Sequence, residues 1–128
     1  MKELIPDGTE VLAGLEMGGI PIATALSLET GIPLVMVRKK AKEYGTCKIA
    51  EGLEFKGKKV CVVEDVVTTG GQIILSAKDL RENGAIVDHV ISVILRNNEG
   101  KENLKKHGLE LKYLFSMNEL KEAVAIYG

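Results

Sequence analysis

The chain has 128 residues, 45% apolar and 27% charged, with a formal net charge of −1 and two cysteines. That length predicts a single domain over residues 1–128 with one core, and the balanced charge offers no basic field for nucleic acid. No apolar run approaches the ~18 residues of a membrane span and the N-terminal residues lack a secretory core, so a cytoplasmic protein is expected.

In chain order, Val11-Leu12-Ala13-Gly14-Leu15 reads as a first strand that ends at Glu16-Met17-Gly18-Gly19. Residues 20–28 carry apolar side chains at helical spacing, with Pro21 in the first turn and Gly31 as the stop. Pro33-Leu34-Val35-Met36-Val37 is a second strand. Residues 38–59 then lose all periodicity and become charged and glycine-punctuated; a connection of that length inside a compact domain predicts a lid or a disordered segment.

A third strand follows at Val60-Cys61-Val62-Val63, then a helix with Ile73, Ile74, Ala77 and Leu80 on one face and Gly84 as its stop. Ile86 to Leu95 is a fourth strand, 101–107 a short polar helix and 109–115 a fifth strand. Ser116-Met117-Asn118-Glu119 forms a capping box for a last helix that is expected to turn Leu120, Val124 and Tyr127 inward. Strands alternating with helices predict an α/β fold, a parallel sheet with helices on both faces. Cys47 in a polar loop and Cys61 in a buried strand have no Cys-x-x-Cys spacing and read as free thiols. His89 and His107 belong to no motif and read as structural or solvent-facing.

The chemistry concentrates in Glu64-Asp65-Val66-Val67-Thr68-Thr69-Gly70-Gly71-Gln72. A continuous Val run is how a strand buried on both faces looks, so Glu64 and Asp65 fall where that strand emerges at its carboxyl end, the side on which open α/β sheets bind ligands. Thr68, Thr69, Gly70 and Gly71 can wrap backbone N–H groups around a phosphate, with a helix N-terminus behind them. Carboxylates repel phosphate, so Glu64 and Asp65 suit sugar hydroxyls or a hydrated divalent cation. The ligand implied is a sugar phosphate. Neither Gly-x-x-x-x-Gly-Lys-Ser/Thr nor Gly-x-Gly-x-x-Gly occurs, which removes the main support for nucleotide triphosphatase and dinucleotide readings.

This stretch closely resembles the phosphoribosyl-pyrophosphate (PRPP) signature of type I phosphoribosyltransferases. Two further segments narrow the likeness to the orotate phosphoribosyltransferases. Glu16-Met17-Gly18-Gly19-Ile20-Pro21 resembles their pyrophosphate loop, and Arg38-Lys39-Lys40-Ala41-Lys42-Glu43-Tyr44-Gly45 resembles their catalytic loop, Arg-Lys-x-x-Lys-x-His/Tyr-Gly. Leu95-Arg96-Asn97-Asn98-Glu99-Gly100 stands where the family has Asp-Arg-x-Glu-Gly, with Leu95 in place of the aspartate and one additional residue before Glu99.

The resemblance implies a three-layer, Rossmann-like phosphoribosyltransferase fold: a five-stranded parallel sheet, with the strands before the two phosphate loops adjacent. An additional antiparallel edge strand from the flexible loop would lie near residues 47–51. It implies transfer of a 5-phosphoribosyl group from PRPP to orotate, giving orotidine 5′-phosphate and pyrophosphate, a step of pyrimidine (UMP) biosynthesis. PRPP would be held by Glu64, Asp65, Val66, Val67, Thr68, Thr69, Gly70, Gly71 and Gln72. Pyrophosphate would meet Glu16, Gly18, Gly19, Arg38, Lys39, Lys42 and Tyr44, and orotate would meet Thr68 and Arg96. Catalysis would rest on Lys42, Asp65 and Arg38, with Mg²⁺ held mainly by substrate oxygens and water, in a homodimer that shares the loop across its interface.

The family usually carries a further N-terminal segment over the base, with a lysine and aromatic contacts. Its absence from these 128 residues leads to the expectation of intact PRPP binding with poor orotate turnover. A phosphoribosyltransferase for another base and a non-catalytic PRPP-binding protein are the alternatives. The first would need an aromatic base pocket, for which Tyr44, Phe55, Tyr113, Phe115 and Tyr127 are the available rings.

Overall fold

The computed structural model describes residues 1–38, 50–52 and 55–127. A 3-10 turn at Lys2–Leu4 leads to β1 (Val11–Leu15), α1 (Gly19–Thr30) and β2 (Leu34–Val37). Then come β3 (Ala50–Gly52), β4 (Lys59–Val67), α2 (Gly71–Glu82), β5 (Ile86–Leu95), α3 (Asn98–Lys106), β6 (Glu110–Ser116) and α4 (Met117–Tyr127). The strands form one sheet in the order β3-β2-β1-β4-β5-β6. β2, β1, β4, β5 and β6 run parallel, and β3 pairs antiparallel with β2 at the edge. Residues 47–49 of the expected edge strand lie outside the described residues.

The alternation of side chains along the two central strands builds both faces of the core. Val11, Ala13 and Leu15 of β1 with Val60 and Val62 of β4 point to one face, where they meet Ile73, Ala77 and Leu80 of α2 and Leu104 of α3. Leu12 of β1 with Cys61 and Val63 of β4 point to the other, against Ala23 and Leu26 of α1. Helices on both faces make three layers, and the valine run of β4 is apolar on both sides because both sides are covered. Each Val, Leu or Ile among them contributes roughly 1.5–3 kcal/mol on leaving water.

β1 and β4 are neighbours, from Val11 opposite Val60 to Gly14 opposite Val63. α1 leaves β1 on one face and α2 leaves β4 on the other, so their N-termini flank the crevice at the point where the strand order reverses. Ligands of doubly wound sheets bind at such a point.

Three boundaries differ from the sequence reading. β4 does not stop at Val63: its pairing with β5 runs on through Val67 opposite Leu95, so Glu64 and Asp65 lie within the second half of the strand. α3 begins at Asn98 because the Asn97 side chain caps it, accepting from the Glu99 N–H at 2.9 Å. Ser116 caps α4, its Oγ accepting the Glu119 N–H at 3.1 Å, but Val124 is 68% exposed and Leu120 only half-buried. α4 lies against an edge strand, whose surface covers less than the helix's apolar pattern implies. The Tyr127 side chain lies outside the described residues.

Candidate functional site

At the carboxyl ends of β1 and β4 an open cleft of about 470 Å³ is lined by Glu16, Met17, Gly18, Glu64, Asp65 and the continuous stretch from Val66 to Ile73. One wall is therefore the end of β4 with the turn into α2, and the other is the turn from β1 into α1.

The acidic pair is fixed by its own strand. The Val66 N–H donates to Asp65 Oδ1 at 2.8 Å and the Asp65 N–H donates to Glu64 Oε1 at 3.0 Å. Beneath them the fully buried Ser92 hydroxyl of β5 lies 3.1 Å from the Asp65 carbonyl oxygen and 2.9 Å from that of Ile94. The backbone under Asp65 is thus anchored while both carboxylates are half-buried at the cleft.

The facing wall approaches closely. A Cβ on Gly18 would lie 2.9 Å from Asp65 Oδ1 and would overlap Oδ2 and Cγ; a Cβ on Gly19 would overlap the Val63 carbonyl oxygen. The two glycines do different things: Gly18 lines the cleft beside the carboxylate, whereas Gly19 is buried where α1 meets β4 and does not line it. The Glu16–Met17 peptide is cis.

No side chain of the N-cap residue closes the first turn of either helix, since Gly18 and Gly70 occupy those positions. Thr69 Oγ reaches the Gly71 N–H only at 3.5 Å, beyond ordinary hydrogen-bond length. Two helix N-termini with their positive dipole ends therefore flank a pair of carboxylates, which suits a ligand carrying anionic groups at both ends and hydroxyls or a cation between them. Gly70 is left-handed, φ 81°, as the sharp entry into α2 requires.

The structure brings together most of the sequence-predicted set: Glu16, Gly18, Glu64, Asp65, Val66, Val67, Thr68, Thr69, Gly70, Gly71 and Gln72 all line this cleft. Arg38 follows β2 directly, beside Glu16, whose N–H donates to the Val37 carbonyl at 2.9 Å; Arg38 is not among the lining residues. Arg96 is exposed just beyond β5, its N–H donating to the Val67 carbonyl at 2.8 Å, and its side chain does not line the cleft either. Lys39, Lys42 and Tyr44 lie outside the described residues.

Residues of α3 that sequence reasoning left unassigned hold the Thr68-to-Gly70 turn from behind. Asn103 Nδ2 donates to the Thr69 carbonyl at 3.0 Å, Gly100 lies against the Thr68 carbonyl, and Leu104 packs within 3.1 Å of where a Gly70 Cβ would be. Gly100 stands at the glycine of the Asp-Arg-x-Glu-Gly pattern, whereas Asn103 and Leu104 belong to the short polar helix and carry no motif. Cys61 is buried on the α1 face, away from the cleft, and burial pushes its thiol up to about 12. Among the described residues no helix is long and apolar enough to cross a membrane.

Residues 2–119 match the family model described as the phosphoribosyl transferase domain. An orotate phosphoribosyltransferase of Nocardioides sp. is 50% identical over 123 residues, 96% of this chain and 69% of that protein. One from Pyrococcus horikoshii is 52% identical over 115 residues, 90% of this chain and 62% of that protein. Among solved structures, the orotate phosphoribosyltransferase of Aeropyrum pernix superimposes with a TM-score of 0.84 at 33% identity, covering 94% of this chain and 67% of that one. The Mycobacterium tuberculosis H37Rv orotate phosphoribosyltransferase in complex with PRPP gives 0.75 at 29% identity, covering 88% and 65%. The chain thus spans about two thirds of the length of the relatives it matches.

Proposed function

Because the chain belongs to the phosphoribosyltransferase family, and within it to the orotate phosphoribosyltransferases, we propose that it transfers the 5-phosphoribosyl group of PRPP to orotate. A bond forms between a ring nitrogen of orotate and the anomeric carbon as that carbon's bond to pyrophosphate oxygen breaks, giving orotidine 5′-phosphate and pyrophosphate. The observation that carries the reading is the pairing, across one cleft, of the Glu64–Asp65 carboxylates with two uncapped helix N-termini.

The displacement develops positive charge on the ribose and negative charge on the leaving group, so its catalysis is mainly electrostatic. Glu64 and Asp65 hold the ribose hydroxyls and favour the cationic ring. Thr68, Thr69, Gly70 and Gly71 bind the 5′-phosphate through N–H and hydroxyl groups, with Val66, Val67 and Gln72 completing that wall. Glu16 and Gly18 form the pyrophosphate side through the backbone of the β1–α1 turn, and Gly19, which does not line the cleft, lets α1 approach β4 behind them. Arg38, Lys39, Lys42 and Tyr44 are assigned to pyrophosphate on their match to the family motif, Lys42 and Arg38 neutralising charge as it leaves. Thr68 and Arg96 are assigned to orotate, the latter supported by its backbone bond to the strand that carries the acidic pair.

The protein donors facing the ribose position are carboxylate oxygens, and no group of three or more His, Cys, Asp or Glu side chains arranged to hold a metal occurs among the described residues. That donor set fits a hard cation that keeps its waters and takes phosphate oxygens from the substrate, as Mg²⁺ does. Glu64 and Asp65 are the residues that would hold Mg²⁺, which would supply charge neutralisation for the pyrophosphate. A cytoplasmic homodimer, with residues 38–45 of one protomer serving its partner's cleft, completes the proposal.

The test is pyrophosphate release from PRPP and Mg²⁺ with a panel of bases. Release that depends on orotate and yields orotidine 5′-phosphate is the expected result. Release with a different base alone, or with none, refutes the assignment.

A further inference from the structure

Three successive carbonyls, from the last residue of β4 and the turn after it, face away from the cleft, and each meets a neighbour on the β5–α3 side. The Val67 carbonyl accepts the Arg96 N–H at 2.8 Å, the Thr68 carbonyl sits against Gly100, and the Thr69 carbonyl accepts from Asn103 Nδ2 at 3.0 Å. Gly100, Asn103 and Leu104 share one face of α3 by their three- and four-residue spacing. That face leaves no room for substitution at Gly100, where a Cβ would overlap the Thr68 oxygen and lie 2.8 Å from Val67 Cγ1.

A trans peptide is planar, with its N–H opposite its C=O. Drawing the carbonyls of residues 67, 68 and 69 toward α3 therefore turns the N–H groups of Thr68, Thr69 and Gly70 toward the cleft that these residues line. Of these three peptide units, only the last is held by a side chain that donates a hydrogen bond. Thr69 is exposed, so without that bond its carbonyl can exchange with water and the peptide can rotate. We propose that Asn103 is a positioning residue: it holds the Thr69–Gly70 peptide so that the Gly70 N–H is presented, already oriented, to the phosphate group of a sugar phosphate. This inference rests on the proposed function for the identity of that ligand.

Orienting one donor to a dianion is worth a charge-assisted hydrogen bond, so its loss should weaken phosphate binding by about tenfold. The experiment is a titration of the ¹⁵N-labelled protein with ribose 5-phosphate, read at the Thr69 and Gly70 amide signals, for the wild type, Asn103→Ala and Asn103→Asp. Asn103 is half-exposed, so both variants should keep the wild-type melting temperature to within a few degrees and the wild-type signals elsewhere. The expected result is saturation in the wild type with large shifts at Gly70, about tenfold weaker binding in Asn103→Ala, and binding at least as weak in Asn103→Asp. The aspartate keeps the shape but offers no N–H, so full affinity in Asn103→Asp would show that packing alone matters and would overturn the inference. Wild-type affinity in Asn103→Ala would overturn it too, leaving the proposed function intact. A wild-type protein whose Thr69 and Gly70 amides ignore ribose 5-phosphate would refute the phosphate-loop assignment itself, and this inference with it.

Discussion

Replacing each glycine of the Gly18–Gly19 pair by alanine separates catalysis from folding within two adjacent residues. Gly18 is the N-cap of α1 with φ −66° and Gly19 is its first residue; neither has positive φ, so alanine by propensity alone favours folding by up to about 1 kcal/mol at Gly19, whereas at the N-cap, where Gly is preferred to Ala, it disfavours folding by up to about 1 kcal/mol. Sterics then act differently at each position. At Gly18 the new methyl meets the Asp65 carboxylate, a side chain that can swing aside at the cost of its 2.8 Å bond from the Val66 N–H, on the order of 1 kcal/mol. The two terms together cost about 1–2 kcal/mol, so Gly18→Ala should remain folded at assay temperature and melt within about 10 °C of the wild type. Its Asp65 is nevertheless displaced by about an ångström from the ribose position, a misplacement that costs roughly 100-fold in rate. At Gly19 the methyl meets the Val63 carbonyl oxygen and approaches Glu64 Cα to 3.3 Å; backbone cannot rotate away, and overpacking of this kind costs about 1–3 kcal/mol or more. Gly19→Ala should therefore melt several degrees lower. Thermal melts and kcat/KM with PRPP and orotate check the pair. Undiminished activity in Gly18→Ala, or a Gly19→Ala protein as stable as the wild type, refutes the account of how α1 meets β4.

Asp65→Asn keeps an oxygen for the Val66 N–H and removes only the charge, so its melting temperature should stay close to the wild type while the single-turnover rate falls at least about 100-fold; loss of fold with retained specific activity would contradict this. Cys61 is a protonation probe: burial raises its pKa from 9.0 to about 12, so the folded state keeps a proton that the unfolded state has lost, and the stability this contributes is present below pH 9 and lost between pH 9 and 12. In a Cys47→Ser background the difference in that loss between Cys61 and Cys61→Ala proteins should approach roughly 4 kcal/mol, measured by urea titration across that range; equal pH slopes would refute it. If residues 38–45 serve the partner's cleft, mixing inactive Lys42→Ala and Asp65→Asn proteins should restore activity, because one heterodimer site then receives neither lesion; no recovery after verified subunit exchange would count against a shared loop.

The sequence made the strands of the parallel sheet and the composition of the cleft legible, because both are local statements. A valine run covered on both faces, and an acid pair followed by threonines and glycines, need no knowledge of distant contacts. What it obscured were features set by contact. The end of β4 is hidden in the sequence because Glu64 and Asp65 interrupt its apolar run, whereas pairing depends on the backbone, which continues opposite β5 to Leu95 and returns Val67 to the core. Val124 was expected inside on helical spacing, but spacing selects a face of α4 without saying how much surface an edge strand offers it.

The same distinction explains why the sequence reading starts the helix at 101 whereas α3 begins at Asn98. A glycine ordinarily weakens a helix, and only the Thr68 carbonyl, thirty-two positions earlier, gives Gly100 a reason to be there. Close approach of two backbones is specified by the absence of a side chain, and an absence looks alike in sequence whether it serves a turn, a ligand or a neighbouring peptide. Gly18, Gly19 and Gly100 are three such positions, meeting respectively a carboxylate, a strand carbonyl and a loop carbonyl. All three contacts bear on residues 63–68. The position of the acidic pair and of the turn behind it is therefore set as much by what α1 and α3 lack as by what β4 carries, and alanine at any of the three should move the site more than its small added volume suggests.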